Sequence, residues 1–426
     1  MCVVALSYSK AKKNLSVVST AMAKRAEDEI AICALSSSSI HAASFDPRCA
    51  PDAKDITHAC REEEVVDQEQ TGTCWLQAGL SLLSSLARRR GVTARFSLTH
   101  LVYYDKLGKA ECFLRAYVAL SEEPDEACRE RRRWHLMNEP IGDGGTWPMF
   151  VALVRAYGLV PHDARLPLRQ ATHSGQLNRY LNDYLRGVAA RASPDSILSL
   201  LRPVETALRR AYGPPKEAVA LFAAEHGRDF EGTPCELGRL VRREWPYHVL
   251  THAPDRDEGW YVGPGRNLPT MEDRFVCVHL DALVAACVEQ LEHGVPVWCA
   301  CDVRFDFCAM RGVAAVGLFK TEALLGLPRM RDKAERMRAR AAAPVHAMLL
   351  TGVKVVDGAP RQWRIQNSWG SETQTYGKGF VTVTHDWFCE HMFQAAVDAA
   401  CCGGAAPPAP ASATRLEPWD VFGTVA

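Results

Sequence analysis

The stretch Gln68-Glu69-Gln70-Thr71-Gly72-Thr73-Cys74-Trp75 joins a polar, glycine-containing loop to an apolar helical repeat, with a cysteine at the junction. Beyond it, Trp75, Leu76, Gly79, Leu82, Leu83 and Leu86 fall on one helical face. Arg88, Arg89 and Arg90 suit the C-terminus of that helix, and Gly91 suits the position just past it. A helix N-terminus carries partial positive charge and favours a thiolate. Taken alone, Cys74 still reads as one more buried cysteine.

Two residues near the other end of the chain change that reading. His346, in Pro344-Val345-His346-Ala347-Met348, opens an apolar strand pattern, and Asn367 follows the next strand in Gln366-Asn367-Ser368-Trp369-Gly370. A thiol, an imidazole to move its proton and an amide to orient the imidazole suffice for thiol acyl transfer. The side-chain amide of Gln68, six positions before Cys74, can join the Cys74 N–H in stabilising an oxyanion. Trp369 is placed to shield the imidazole–amide bond from water. Each signal is weak alone, and a lone histidine or loop glutamine is usually structural. Their combination and order are specific.

The composition is that of a globular chain. Hydrophobic residues make up 47% of 426 residues, and Lys+Arg balances Asp+Glu at 50 each. No global charge favours nucleic acid or a membrane surface, and no stretch is long enough to span a bilayer. The 16 cysteines include no Cys-x-x-Cys pair. Cys299 and Cys301, and Cys401 and Cys402, do not have structural-zinc spacing, so the cysteines read as reduced, packed thiols in a cytoplasmic protein without a metal or organic cofactor. The first 25 residues are rich in Ser and Lys and leave a transit peptide open.

Further helices are expected from Ser97, a candidate N-cap, through Leu101, Tyr104 and Leu107, and from Trp147 to Gly158, with Pro148 in the first turn. Residues 170–245 read as mostly helical, and Arg329–Arg340 as a solvated basic helix. Met348–Val356, Gln362–Gln366 and Phe380–Thr384 read as antiparallel strands. Ala405–Pro410 reads as a linker, and the apolar closing segment from Leu416 to Ala426 as a docked arm.

The Cys-Trp pair at a helix start and the Asn-Ser-Trp-Gly at a strand end resemble the two signatures of the papain-like cysteine peptidases. One feature departs from papain and the cathepsins, where the histidine follows the cysteine by about 130–150 residues. Here the gap is 272 residues. That excess points to the bleomycin hydrolase, or aminopeptidase C, subgroup. The resemblance runs through Phe96-Ser97, Tyr104-Asp105-Lys106, Met137-Asn138-Glu139-Pro140, Asp143-Gly144-Gly145-Thr146-Trp147, Val297-Trp298, Cys301-Asp302-Val303 and the closing Pro418-Trp419-Asp420. Residues 1–60 and about 170–260 match weakly. Asp67-Gln68-Glu69 replaces the subgroup's usual Asn-Gln-Lys, which makes the approach to Cys74 more acidic.

The resemblance implies an α+β papain-like fold in five parts. These are a leader or hook (1–65), a helical half with the nucleophile (66–165), a helical insertion (166–275), a β half with His346 and Asn367 (276–400) and a C-terminal arm (401–426). It implies a homohexameric cysteine aminopeptidase acting on peptide substrates, with Cys74, His346, Asn367 and Gln68 catalytic. Gly144 and Gly145 would line the cleft, although a plain helix-entry turn would also explain them. The Ala426 carboxylate would hold the substrate's α-ammonium group. The 26 residues from 401 can extend about 85–90 Å, ample to reach a cleft. The rival readings are a catalytically inactive papain-like binding scaffold, which usually lacks one of the four residues, and a zinc-binding regulatory protein.

Overall fold

The computed structural model of the chain describes residues 26–52, 55–89, 91, 93–160, 162, 168–214, 246–372, 377–403 and 413–422. The expectations for the first 25 residues, for 215–245, for the linker Ala405–Pro410 and for Ala426 lie outside them. The chain divides into two compact units, Met1–Ala50 with Val316–Arg331, and Pro51–Ala315 with Asp332–Ala426.

The smaller unit joins two segments far apart in sequence. Residues 26–37 are helical, and a short helix, Ile40–Ser44, is capped by Ser39, whose side chain accepts from Ala42 N. Phe319 stacks on His41 with ring centroids 4.4 Å apart and meets the edge of Phe45 at 6.0 Å. Backbone bonds from Asp46 N to Leu318 O (2.8 Å) and from Lys320 N to Ser44 O (2.7 Å) complete the junction. Residues 316–331, expected to belong with the β half, therefore pack with the N-terminal segment.

The larger unit carries helices α1 (Cys74–Arg89), α2 (Leu98–Ala119), α3 (Glu126–Asn138), α4 (Trp147–Tyr157), α5 (Gly175–Ala189), α6 (Ile197–Tyr212), α7 (Leu280–Glu292), α8 (Lys333–Arg338) and α9 (His385–His391). Ser97 caps α2 through its side chain, and Gly158 ends α4 at φ 69°. Helix α1 exceeds its expected single apolar face, because Gln77, Ser81 and Ser85 on other sides are buried as well. It is the central helix of its half. A Cβ on Gly79 would lie 2.7 Å from the Phe150 ring, so glycine is what lets α1 and α4 approach. At the far end Arg88 forms a two-pronged pair with Glu63, at 2.7 and 2.9 Å.

The strands are β1 (His58–Ala59), β2 (Tyr247–Thr251), β3 (Gly259–Pro264), β4 (Glu272–Cys277), β5 (Val297–Cys301), β6 (Phe307–Cys308), β7 (Val313–Ala314), β8 (His346–Val356), β9 (Ala359–Gln366), β10 (Phe380–Thr384), β11 (Met392–Asp398) and β12 (Thr414–Arg415). They form one sheet in the order β12-β3-β4-β2-β11-β5-β8-β9-β10-β7-β6, with β1 beside β8. The centre is antiparallel, while β12–β3, β2–β4 and β10–β7 pair in parallel. Two apolar cores result. One packs the helices around Trp75, Phe150 and Leu185, and the other packs α7 and α9 on the sheet around Trp363, Trp387 and Cys299.

Two expectations need correction. Residues 247–275, assigned to the helical insertion, hold β2, β3 and most of β4; their partners include β11, more than a hundred residues later, so local pattern alone carried little signal. The basic run Arg329–Arg340 is helical only over Lys333–Arg338, where the Asp332 side chain caps the start by accepting from Glu335 N at 2.7 Å. It is also not a fully solvated face. Lys333 and Met337 are buried, and Lys333 Nζ donates to Met392 O (2.6 Å) and Cys389 O (3.3 Å) at the end of α9.

The Gly79 contact yields a direct test. Gly79→Val should destabilise the protein by about 1–3 kcal/mol, the usual cost of overpacking, measured by denaturant unfolding. An unchanged midpoint would show that α1 and α4 are not in close contact.

Candidate active site

Cys74 is the first residue of α1, so its own N–H and that of Trp75 are first-turn donors without helical acceptors. Its Sγ accepts from Ala347 N at 3.4 Å, which docks the helix start onto the first residues of β8. Trp298 Nε1 on β5 donates to Trp75 O at 3.1 Å and reinforces the junction. Burial pushes the Cys74 thiol up, against the opposing backbone N–H groups of Ala347, Trp75 and Cys74.

The antiparallel pairing of β8 with β9 brings His346 and Asn367 together. Leu349 faces Gln366, so the start of β8 lies beside the end of β9. His346 Nε2 donates to Asn367 Oδ1 at 2.8 Å, and Ser368 N donates to the same oxygen at 2.8 Å. The Trp369 ring lies over the imidazole, with centroids 4.7 Å apart and planes tilted by 31°. Burial lowers the His346 pKa to about 4, only partly offset by Asn367. The imidazole is therefore neutral at neutral pH, with Nε2 committed to Asn367.

Gln68 is brought to the same region by a bridge between Asp67 and Trp369 and by its N–H to Ser368 O at 2.8 Å. Its Nε2 donates to Thr71 O at 2.6 Å, and Ser368 Oγ donates to its Oε1 at 2.6 Å. An amide NH₂ has two hydrogens, so this leaves one for another acceptor. Sequence reasoning missed the part played by Ser368 and Thr71 in fixing this amide.

Cys74, His346, Ala347, Gly145 and Trp298 line one cavity of about 30 Å³. Val421 and Phe422, from the end of the chain, line it too. The arm reaches it along the surface: β12 pairs with Tyr261 and Val262, and Arg266 donates to Pro418 O at 2.9 Å. Arg131 lies 4.0 Å from the centroid of the Trp419 ring, and Arg256 pairs with Asp420 at 3.3 Å. Phe422 is buried against Phe275 and Phe393, with centroids 5.2 and 6.1 Å away. Burying a phenylalanine contributes about 1.5–3 kcal/mol. Apolar burial at Phe422 thus holds the described arm, together with the largely buried Arg256–Asp420 pair.

Of the glycine pair, Gly145 lines the cavity. A Cβ there would stand 2.3 Å from Trp75 Cε2, so the bare backbone is required by the indole. The loop before it is gripped by a buried charge network that sequence reasoning did not assign. Lys109 Nζ donates to Gly142 O (2.9 Å) and Gly144 O (2.6 Å) and pairs with Asp105 at 2.7 Å. Lys106 pairs with Asp143 at 2.5 Å, and Asn178 and Ser174 donate to the same carboxylate. Burial alone would raise the Asp143 pKa; Lys106 and these donors outweigh it and hold the carboxyl below its usual range. Asp143 also accepts from Gly72 N at 3.2 Å, and its backbone oxygen accepts from Trp75 Nε1 at 2.8 Å. One carboxylate thus ties together the loops on either side of the Cys74 helix start. The available signal was Asp105-Lys106 and Lys109, spaced so that both lysines leave one side of α2.

Removing one partner of a buried pair strands the other charge. Lys109→Met should cost about 3–5 kcal/mol in denaturant unfolding, and adding Asp105→Leu should restore part of that loss. A single-variant loss below about 1 kcal/mol, the scale of an exposed pair, would contradict the buried network.

The comparisons with known proteins agree with this architecture. The profile of the Peptidase C1-like family matches residues 11–193 and 266–423. Aminopeptidase C of Listeria monocytogenes is 26% identical over 396 residues, covering 87% of this chain and 88% of the relative. Aminopeptidase C of Lactobacillus helveticus is 26% identical over 362 residues, covering 78% of each chain. A crystal structure of PepW from Lactobacillus rhamnosis superposes with a TM-score of 0.78 at 22% identity, covering 93% of this chain and 95% of the other, and supports the papain-like α+β fold. With a profile match spanning most of its length, the chain belongs to the Peptidase C1-like family.

Proposed function

We propose that the chain is a cysteine aminopeptidase of the aminopeptidase C (bleomycin hydrolase) type, removing N-terminal residues from peptides through a thioester on Cys74. The observation that carries this reading is the shared cavity, lined by the Cys74 thiol, His346 and the arm residues Val421 and Phe422. All four residues expected for catalysis, Cys74, His346, Asn367 and Gln68, are present, which disfavours an inactive scaffold.

In this scheme the neutral His346 accepts the Cys74 proton at Nδ1, since Nε2 is engaged by Asn367. The thiolate attacks the carbonyl carbon of the first peptide bond. The oxyanion takes hydrogen bonds from Cys74 N–H and Gln68 Nε2. The tetrahedral intermediate collapses as the imidazolium returns its proton to the leaving amine, giving a thioester. Water, deprotonated by His346, then releases the amino acid and restores the thiol. Asn367 orients the imidazole, and Trp369 keeps water from their bond. No metal or organic cofactor enters these steps.

The arm acts as a ruler. Ala426 lies four residues beyond Phe422, a span of at most about 13–14 Å, so its carboxylate can meet an α-ammonium group near the thiol. Gly144 and Gly145 present bare backbone to the substrate. A homohexamer fits the exposed Ile30, Ile32 and Leu327 of the smaller unit, which are 70%, 66% and 65% accessible and offer apolar surface to another copy. The balanced charge fits a cytoplasmic protein and gives nucleic-acid binding no support. No described helix is long and apolar enough to cross a membrane.

Cys74→Ala should lower turnover of an aminoacyl-fluorophore on the order of 10⁴-fold or more while leaving the native mass of the hexamer intact. Retained turnover would remove Cys74 as nucleophile. Deleting residues 416–426 should lower aminopeptidase activity about 10–100-fold, the worth of one charged hydrogen bond, and expose endopeptidase activity. Unchanged specificity would rule out the ruler.

A further inference from the structure

At the end of α7, three side chains with no part in the Cys74 site converge. Glu289 and His293 are four residues apart and share a helix face. Cys401, in the short 3₁₀ turn Ala399–Cys402 after β11, reaches them from a distant part of the sequence. One donor atom from each, a carboxylate oxygen, an imidazole nitrogen and a sulfur, all lie within 4.8 Å of one another. Cys401 Sγ is 3.8 Å from His293 Nδ1. Ligands that bind one zinc-sized ion at 2.0–2.3 Å stand roughly 3.5 Å apart in a tetrahedron, so a small side-chain closure brings the set to bonding distance.

Among the described residues Glu289 forms no ion pair with a lysine or arginine. Sequence spacing could not reveal the set, because no two of its members form a Cys-x-x-Cys or His-x-His pair.

We propose that Glu289, His293 and Cys401 form a binding site for a borderline-soft divalent transition metal of the Zn²⁺ class. On binding, the Cys401 S–H bond breaks and its proton passes to solvent. Sulfur, imidazole nitrogen and carboxylate oxygen each donate an electron pair to the ion, which sheds all but one of its waters and keeps that one at the fourth tetrahedral position. The metal ties the end of α7 to the turn from which the C-terminal arm departs. This site is independent of the peptidase reading.

The test uses the full chain carrying Cys74→Ala and Cys389→Ser, which removes the thiol of the Cys74 site and the thiol 3.6 Å from His385 Nε2. Titration with Co²⁺ should give one bound equivalent with near-ultraviolet thiolate-to-cobalt charge-transfer absorption, and Zn²⁺ should displace it. Cys401→Ser in that background should abolish the absorption. His293→Ala, a change at an exposed position, should weaken binding by at least about tenfold, the lower end of what losing even an outer partner of a metal site costs. Absence of the absorption in the parent protein, or its persistence at equal affinity in both variants, would overturn the proposal.

Discussion

The docking of the first turn of α1 against the first residues of β8 organises the larger unit. A helix that begins at Cys74 meets a strand that begins at His346, and Ala347 N–H reaches the cysteine sulfur. Trp298 anchors the same junction by donating to Trp75 O. The helical core and the sheet core meet here. The thiol and the imidazole are buried in consequence, and burial keeps both neutral at neutral pH. A neutral imidazole near a thiol can act as a base, which is the role the proposed acyl transfer gives His346.

Two further constraints shape the cavity. The Lys106–Asp143 and Lys109–Asp105 pairs hold the Gly142–Gly145 loop from beneath, and the Trp75 indole fills the space a side chain at Gly145 would occupy. From the other direction, Phe422 packs into the helical core and lines the cavity with Val421.

The sequence made some of this legible and hid the rest for physical reasons. Cys-Trp and Asn-Ser-Trp-Gly are local motifs: Cys74 lines the cavity with His346, and Asn367 acts on it through its bond to His346. The caps at Ser97 and Gly158 are local as well, and one helix starts and the other ends where these residues indicate. Features that depend on long-range contact were hidden. Strands β2 to β4 acquire their identity from partners such as β11, so a segment expected to be helical is partly sheet. Lys333 looked solvated because its neighbours are basic, but it caps the carbonyls at the end of α9. The pairing of residues 316–331 with the N-terminal segment, and the convergence of Glu289, His293 and Cys401, likewise have no local signature.

The most direct measurement is rapid acid quenching of turnover on a short peptide, followed by mass mapping of the trapped acyl-enzyme. The account predicts an adduct on the peptide containing Cys74 whose added mass equals one N-terminal residue. An adduct carrying several residues, or one located on another cysteine, would contradict it.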